Sequence, residues 1–130
     1  MRLHRLDYTV LVVEELDRAL AFYAGILGIP LHHRSDPYAQ LASGTTRLSL
    51  YTRQAMSNSL GRPLQPADPE SPTMEIGFVV EDVDTAFATF VARGAEGPIA
   101  PTTRPWGQRT AYLRDPDGHW IELIQNLETG

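Results

Sequence analysis

Two glutamates, Glu75 and Glu122, are the residues of this sequence best suited to chemistry, because each stands in an otherwise apolar, strand-like segment. Two neighbouring carboxylates form an all-oxygen ligand set that favours a hard ion such as Mg²⁺ or Mn²⁺ over zinc. They could instead pair with Arg47, with Arg109 or with a cationic ligand. Without a cation, their repulsion would raise the pKa of one carboxyl until it kept its proton, which suits a general base.

Hydroxyl and aromatic side chains could complete such a site. Tyr8 and Ser49 could orient a bound molecule through their hydroxyls, or satisfy each other on adjacent strands. We expect neither to be a nucleophile, because no histidine falls at a predicted pocket position to activate Ser49. Trp106 and Trp120 could each stack on a flat ligand, Trp106 from a loop and Trp120 from a strand.

An internal repeat positions these residues. The segment that begins at Tyr8 aligns with the segment that begins at Glu75, and both continue as an apolar run, an acidic cluster and a stretch with helical spacing. We expect the two helices to end at glycine, at Gly25 or Gly28 in the first copy and at Gly94 in the second. Short strand-like segments follow at about residues 31–35, 38–42 and 47–52, and at about 99–102, 109–114 and 120–125.

The repeat predicts one α+β domain over residues 1–130, made of two pseudo-symmetric βαβββ modules. Module one spans about 5–55 and module two about 74–127, and their strands form a curved mixed sheet around a cup-shaped pocket. Prolines recur at every third residue from Pro63 to Pro72, so a Pro-rich, extended connector is expected over about 56–73.

Strand alternation assigns side chains to faces. One face of each first and last strand carries leucine, isoleucine, valine or phenylalanine and must contact the helix. The opposite face mixes aliphatic, aromatic and charged side chains, which suits a partly apolar pocket with a few polar groups. We expect a ligand to be bound there by Tyr8, Arg47, Ser49, Tyr51, Trp106 and Trp120, with Glu75 and Glu122 supplying charge.

Composition excludes several classes of function. The chain has no cysteine, so it has neither disulfides nor thiolate metal sites, and its net charge is −5 with acidic and basic residues intermixed. Nucleic-acid binding would need a clustered basic patch. The apolar run Val10–Val13 near the N-terminus is too short for a membrane span. We expect a cytoplasmic protein with a small-molecule ligand and neither a nucleic-acid nor a membrane partner.

Three segments resemble the vicinal oxygen chelate superfamily, which includes glyoxalase I, the bleomycin-resistance proteins, fosfomycin-resistance enzymes and extradiol dioxygenases. They read VEELDRA at 13–19, PWGQR at 105–109 and DPDGHWIEL at 115–123, and the likeness covers nearly the whole chain. The resemblance implies a paired βαβββ fold, a homodimer and, in catalytic members, a divalent metal in the cup. One residue from each first strand and each last strand would hold that metal.

The positions that match these ligands are Tyr8, Ser49, Glu75 and Glu122. Only Glu122 is the typical ligand; a tyrosine would first have to lose a proton with a pKa of about 10, and a serine is a weak neutral ligand. The expected function is therefore metal-independent binding of an aromatic or cationic small molecule, as in the bleomycin-resistance branch, with no cofactor. The alternative is a lyase, isomerase or dioxygenase that uses one divalent metal ion, with Glu75 and Glu122 as metal ligands or catalytic residues. A pure interaction module is a third reading, which an exposed apolar face without a cavity would favour.

Overall fold

The computed structural model describes residues 1–128 and divides the chain into two compact units, residues 1–66 and the residues from Ala67 onward. The last two residues of the predicted 1–130 domain lie outside the described residues. Each unit contains one four-stranded sheet and at least one helix. The predicted α+β class and the two βαβββ modules are confirmed.

The first unit is built on a mixed sheet with the strand order β1-β4-β3-β2. Strands β1 and β4 are parallel, and the other neighbours are antiparallel. Helix α1 continues directly into a wider π-helical segment over Ala21–Ile26. The elements of this unit are β1 (Tyr8–Val13), α1 (Leu16–Leu20), β2 (Leu31–Ser35), β3 (Tyr38–Leu41), β4 (Arg47–Thr52) and α2 (Arg53–Leu60).

The second unit repeats this topology with the strand order β5-β8-β7-β6. The register repeats as well: Val10 lies opposite Ser49 in the first unit, and Gly77 lies opposite Glu122 in the second. The repeat in the sequence is therefore a repeat in strand pairing. The elements of this unit are β5 (Glu75–Val79), α3 (Val83–Ala92), β6 (Glu96–Arg104), β7 (Gln108–Arg114) and β8 (Trp120–Asn126).

In β1, β4 and β8, the alternate residues that the sequence assigns to the helix-facing side are buried. Leu11 and Val13 of β1 are fully buried, as are Ile121 and Leu123 of β8. Other buried residues of the two cores are Leu16, Ala19, Phe22, Tyr23, Ala39, Leu41, Leu48 and Leu50 in the first unit, and Val83, Ala95, Ala111 and Leu113 in the second. Across residues 1–128, no helix has both the length and the apolar character needed to cross a membrane.

Helix boundaries follow local capping chemistry. Asp82 caps α3, because its carboxylate accepts a hydrogen bond of 3.1 Å from the backbone N–H of Thr85. The glycines that follow the helical segments, Gly28 and Gly94, have φ angles of 75° and 111°. Of the two glycines predicted to end the first helix, Gly28 is the one in the left-handed conformation that terminates helices.

Helix α2 corrects the predicted connector. The prolines of residues 63–72 suggested an extended segment that begins near residue 56, yet residues up to Leu60 are helical. Thr52 supplies the cap by accepting a 3.2 Å hydrogen bond from the backbone N–H of Ala55, and Gly61 ends the helix with a φ of 70°. Between residues 61 and 74 the structure contains neither helix nor strand.

Strand β6 is longer than the predicted segment at 99–102, since it runs over Glu96–Arg104. It lies at the edge of its sheet, where prolines are tolerated, and its pairing with β7 shifts register twice. Helix α3 packs closely on its start. A Cβ added at Gly97 would lie 2.5 Å from Cζ of Phe87, so the helix can approach only because residue 97 is glycine.

Candidate ligand pocket

A pocket of about 440 Å³ opens on the second unit. Glu75 begins β5 and Trp120 begins β8, and the parallel register places them directly opposite each other. Tyr112 comes from the neighbouring strand β7. The lining residues are Pro72, Thr73, Met74, Glu75, Ile99, Tyr112 and Trp120.

The indole ring of Trp120 is held by three contacts. Its N–H donates a 2.8 Å hydrogen bond to the backbone carbonyl of Pro69. The Tyr112 ring meets it edge-on at a centroid distance of 5.8 Å, and the guanidinium carbon of Arg114 lies 5.3 Å from its centroid. Because the N–H already has an acceptor, the ring has only carbon surface to offer a ligand.

The surroundings of this ring are acidic. The Arg114 guanidinium forms ion pairs with Glu70, at 3.5 Å, and with Glu96. Its side chain is only 18% exposed, so this cation is already compensated. Glu75 and Glu122 add two further carboxylates to the pocket region, so acidic groups outnumber the one guanidinium and the field of this region is negative.

Tyr112 connects the two candidate carboxylates. It lies opposite Glu122 in the antiparallel register of β7 and β8, and its hydroxyl donates a 2.9 Å hydrogen bond to that carboxylate. Burial raises the pKa of the Tyr112 phenol well above its ordinary value, and hydrogen bonding to Glu122 and to Glu75 raises it further. The hydroxyl therefore keeps its proton at neutral pH.

The sequence analysis missed Tyr112, although a signal for it was present. Strand β7 was predicted over about 109–114, but its residues were not divided between faces. Alternation along that strand, with Ala111 and Leu113 both fully buried, assigns Tyr112 to the opposite face. Within the described residues, the pocket lining contains Glu75 and Tyr112 but not Glu122. Glu122 is connected to the pocket by the hydrogen bond that it accepts from Tyr112.

In the first unit, Ser49 belongs to a row of hydrogen bonds across β3 and β4. Its side chain is fully buried, and its hydroxyl lies 2.7 Å from the hydroxyl of Tyr38. The Tyr38 oxygen accepts a 3.1 Å bond from Gln40, whose own carbonyl accepts a 2.9 Å bond from Arg47. The alternative in which Ser49 and Tyr8 satisfy each other is wrong, because the partner of Ser49 is Tyr38.

The remaining predicted ligand residues lie as follows. Tyr8 is the first residue of β1 and is 48% exposed. The Tyr51 hydroxyl lies 3.2 Å from that of Ser59. Trp106 stands between β6 and β7, is 64% exposed and donates its indole N–H to Gln108 at 2.8 Å. Among the described residues, the lining of the pocket in the second unit does not include Trp106.

Of the alternative partners considered for Glu75 and Glu122, Arg109 is wrong, because it pairs with Asp84. Its guanidinium donates a hydrogen bond of 2.9 Å to each carboxylate oxygen of Asp84. This fork holds the pKa of Asp84 below its ordinary range. Arg109 thereby joins β7 to helix α3, and Glu122 is partnered by Tyr112 instead.

The side chains at the four positions that match family metal ligands fit a divalent ion poorly. Tyr8 would have to lose its phenolic proton, Ser49 is buried against Tyr38, and Glu122 already accepts a hydrogen bond from Tyr112. Within residues 1–128, no group of three or more histidine, aspartate or glutamate side chains is arranged to hold a metal ion.

The sequence matches the Glyoxalase/Bleomycin resistance protein/Dioxygenase superfamily over residues 5–123, and the chain belongs to this family. It is 29% identical to the uncharacterized protein YraH of Bacillus subtilis, over 90% of this chain and 94% of that protein. It is 30% identical to a probable lactoylglutathione lyase of Vibrio cholerae, over 96% of this chain and 93% of that protein.

Solved structures share the fold. A glyoxalase/bleomycin resistance protein/dioxygenase from Nocardioides superposes with a TM-score of 0.84 at 26% identity, covering 100% of this chain and 88% of that one. The resemblance inferred from the sequence motifs is therefore confirmed.

Proposed function

We propose that this protein is a metal-independent small-molecule-binding member of its family, and that its ligand is an organic cation with a flat apolar body. The observation that carries the proposal is the placement of Glu75 directly opposite Trp120 in one pocket. The other lining residues, within the described part of the chain, are apolar or neutral, so Glu75 is the one charge that a ligand meets.

Charge and shape both favour a cation. A carboxylate attracts it directly, and the face of an indole attracts it through the ring quadrupole. Pro72, Met74 and Ile99 provide apolar surface for the body of the ligand. A carboxylate ligand would instead meet Glu75 and, behind Tyr112, Glu122, with the nearby Arg114 already paired.

Donor chemistry supports metal independence, since two of the four family ligand positions carry hydroxyls in place of strong ligands. By family likeness the protein would act as a cytoplasmic homodimer, in the manner of a resistance protein that sequesters its ligand.

A metal-dependent enzyme is the second candidate. It is favoured by the 30% identity to a protein named a probable lactoylglutathione lyase. In that case Glu75 and Glu122 would hold one divalent ion, which would act as a Lewis acid on the substrate.

Thermal shift of chelator-treated protein tests the proposal. We expect 2-phenylethylammonium to raise the melting temperature, because a ligand that binds only the folded state stabilises it. The matched anion 3-phenylpropanoate is expected to leave it unchanged. Glu75→Gln should abolish most of the gain, whereas Glu81→Gln, which removes the same charge from an exposed residue outside the pocket, should preserve it.

Two results would contradict the proposal. The first is an equal response to the cation and the anion. The second is stabilisation by Mn²⁺, Ni²⁺ or Zn²⁺ together with cation binding that requires the ion, which would select the metal-dependent enzyme.

A further inference from the structure

We propose that Tyr112, held in place by Glu122, makes the pocket selective for an ammonium that carries N–H bonds, a primary or secondary amine, over a quaternary ammonium. This inference rests on the proposed cation-binding function and names the class of cation. It concerns a residue that the sequence patterns did not single out.

The hydroxyl of Tyr112 can only accept a hydrogen bond from a ligand. A phenol has one O–H donor and additional acceptor lone pairs. Its donor is already used in the 2.9 Å bond to Glu122, and a bond to a carboxylate is about twice as strong as one between neutral groups. A ligand group in the pocket therefore meets the lone pairs of the phenol oxygen.

The other polar side chains of the lining also offer a ligand acceptors rather than fixed donors. Glu75 is an acceptor, and the Trp120 N–H is occupied by the carbonyl of Pro69. The hydroxyl of Thr73 can rotate to donate or accept. Among the described lining residues, the polar side-chain atoms still available to a ligand are the acceptors of Glu75 and Tyr112 and the Thr73 hydroxyl, which can do either.

An ammonium with N–H bonds matches these acceptors. It can donate to Glu75 and to the Tyr112 oxygen while its carbon skeleton packs on Trp120. A quaternary ammonium of the same body keeps the charge attraction and the ring contact but donates to neither residue, so it leaves both acceptors desolvated and unpaired. We expect the primary amine to bind with a Kd about tenfold lower or more, because that ratio corresponds to the free energy of one hydrogen bond to a charged group.

The geometry of Tyr112 is set by elements on three sides. Its backbone lies opposite Glu122 in the register of β7 and β8, and Ile99 of β6 lies opposite it on the other side. The edge of its ring rests against Trp120. Tyr112 is thus a specificity-determining residue that contacts the ligand, and Glu122 is a positioning residue that acts through it.

Calorimetric titration with two matched probes tests the inference. The probes are 2-phenylethylammonium and its N,N,N-trimethyl counterpart, each titrated into the wild type, Tyr112→Phe and Glu122→Gln. We expect the wild type to prefer the primary amine by about tenfold. In Tyr112→Phe the primary amine should weaken by about that factor, and the quaternary probe should stay within about twofold.

Glu122→Gln tests the orientation of the hydroxyl without removing it. A glutamine amide offers the phenol either an N–H donor or a neutral carbonyl acceptor, so the O–H is no longer held by a carboxylate and can also point into the pocket as a donor. The preference for the primary amine should then fall as well. This variant keeps the side-chain size and a hydrogen bond to Tyr112, so it decides the question even if Tyr112→Phe fails to fold by circular dichroism.

The outcomes separate the two proposals. An unchanged preference in the folded variants, or an equal loss of both probes in Tyr112→Phe, overturns the role of Tyr112 and leaves cation binding in place. Failure of both probes to bind the wild type contradicts the proposed function itself.

Discussion

At the scale of single residues, the pocket depends on Trp120 and Tyr112, whose N–H and O–H donors are already bound by the protein. Trp120 donates to Pro69, Tyr112 donates to Glu122, and Arg114 is paired with two glutamates. Buried polar groups that are satisfied in this way hold one geometry, because any other arrangement would leave them unpaired. Glu75 is the exposed carboxylate in the lining, and so it is the charge offered to a ligand.

Tyr112 should give the protein a distinct alkaline pH dependence. Its pKa is raised in the folded state, so its contribution to stability is present below the ordinary value of about 10 and is lost as pH rises above it. Measured by urea unfolding, the free-energy difference between the wild type and Tyr112→Phe should be constant from neutral pH to about pH 9.5 and shrink above about pH 10. A difference that stays constant up to pH 11 would show that the phenol is not held in its protonated form.

The sequence could predict part of the site at this scale. Period-two alternation correctly grouped Glu75 and Trp120, because each begins a strand and the two strands are paired in register. It could not identify the partner of Ser49 or of Glu122. Those depend on which residue of a third strand lies opposite, Gln40 beside Tyr38 in one unit and Tyr112 in the other. The hydrophobic pattern fixes the face that a residue occupies, but the turn type and loop length of the hairpin select its partner.

At the scale of secondary-structure elements, turns and caps explain what the sequence predicted and what it missed. Strands β2 and β4 were predicted to the residue, because clear turn signals flank them. Helix α2 was not predicted, because the prolines that follow it indicate an extended segment and the residues before them were assigned to the same connector. Thr52 as an N-cap and Gly61 as a left-handed terminator were local signals for that helix.

The contact between helix α3 and strand β6 offers a sharp test at this scale. A methyl group at residue 97 would lie 2.5 Å from Cζ and 2.7 Å from Cε2 of Phe87, so the ring would have to move. Gly97→Ala should lower the free energy of unfolding by about 1–3 kcal/mol, the usual cost of overpacking. Urea unfolding followed by circular dichroism measures this loss.

Gly25→Ala is the matched control, because a Cβ there meets no atom within 4 Å. Its effect on the free energy of unfolding should stay within about 0.5 kcal/mol or be slightly stabilising, as for alanine in helices generally. If Phe87 causes the loss, the double variant Gly97→Ala/Phe87→Leu should be less destabilised than the two single losses predict together. Strict additivity would show that another contact is responsible.

At the scale of the whole molecule, the repeat is the strongest feature of the sequence. Both units share one sheet order, and equivalent residues occupy equivalent register positions. The repeat also supported membership of the glyoxalase superfamily, which the match over residues 5–123 establishes. The cup shared by both modules and the homodimer stay predictions.

The two units share this fold but carry different side chains on the strand faces that point away from the helices. The face of β4 carries Arg47 and a neutral hydrogen-bonded row that ends at Ser49, whereas the face of β8 carries Trp120 and Glu122. The core requires apolar residues on the packing side of each strand, whereas the opposite side is free to differ between the units. The side chains that line the pocket of the second unit are therefore specific to that copy and cannot be inferred from the repeat.

The most direct test of the account is the binding site of 2-phenylethylammonium mapped by amide and indole N–H chemical shifts on chelator-treated protein. We expect shifts at the Trp120 indole and at the backbone amides of Thr73, Glu75, Ile99 and Tyr112, the residues around the pocket, and we expect these shifts to disappear in Glu75→Gln. Shifts confined to residues outside this lining, or binding that appears only after a divalent metal is added, would contradict the account.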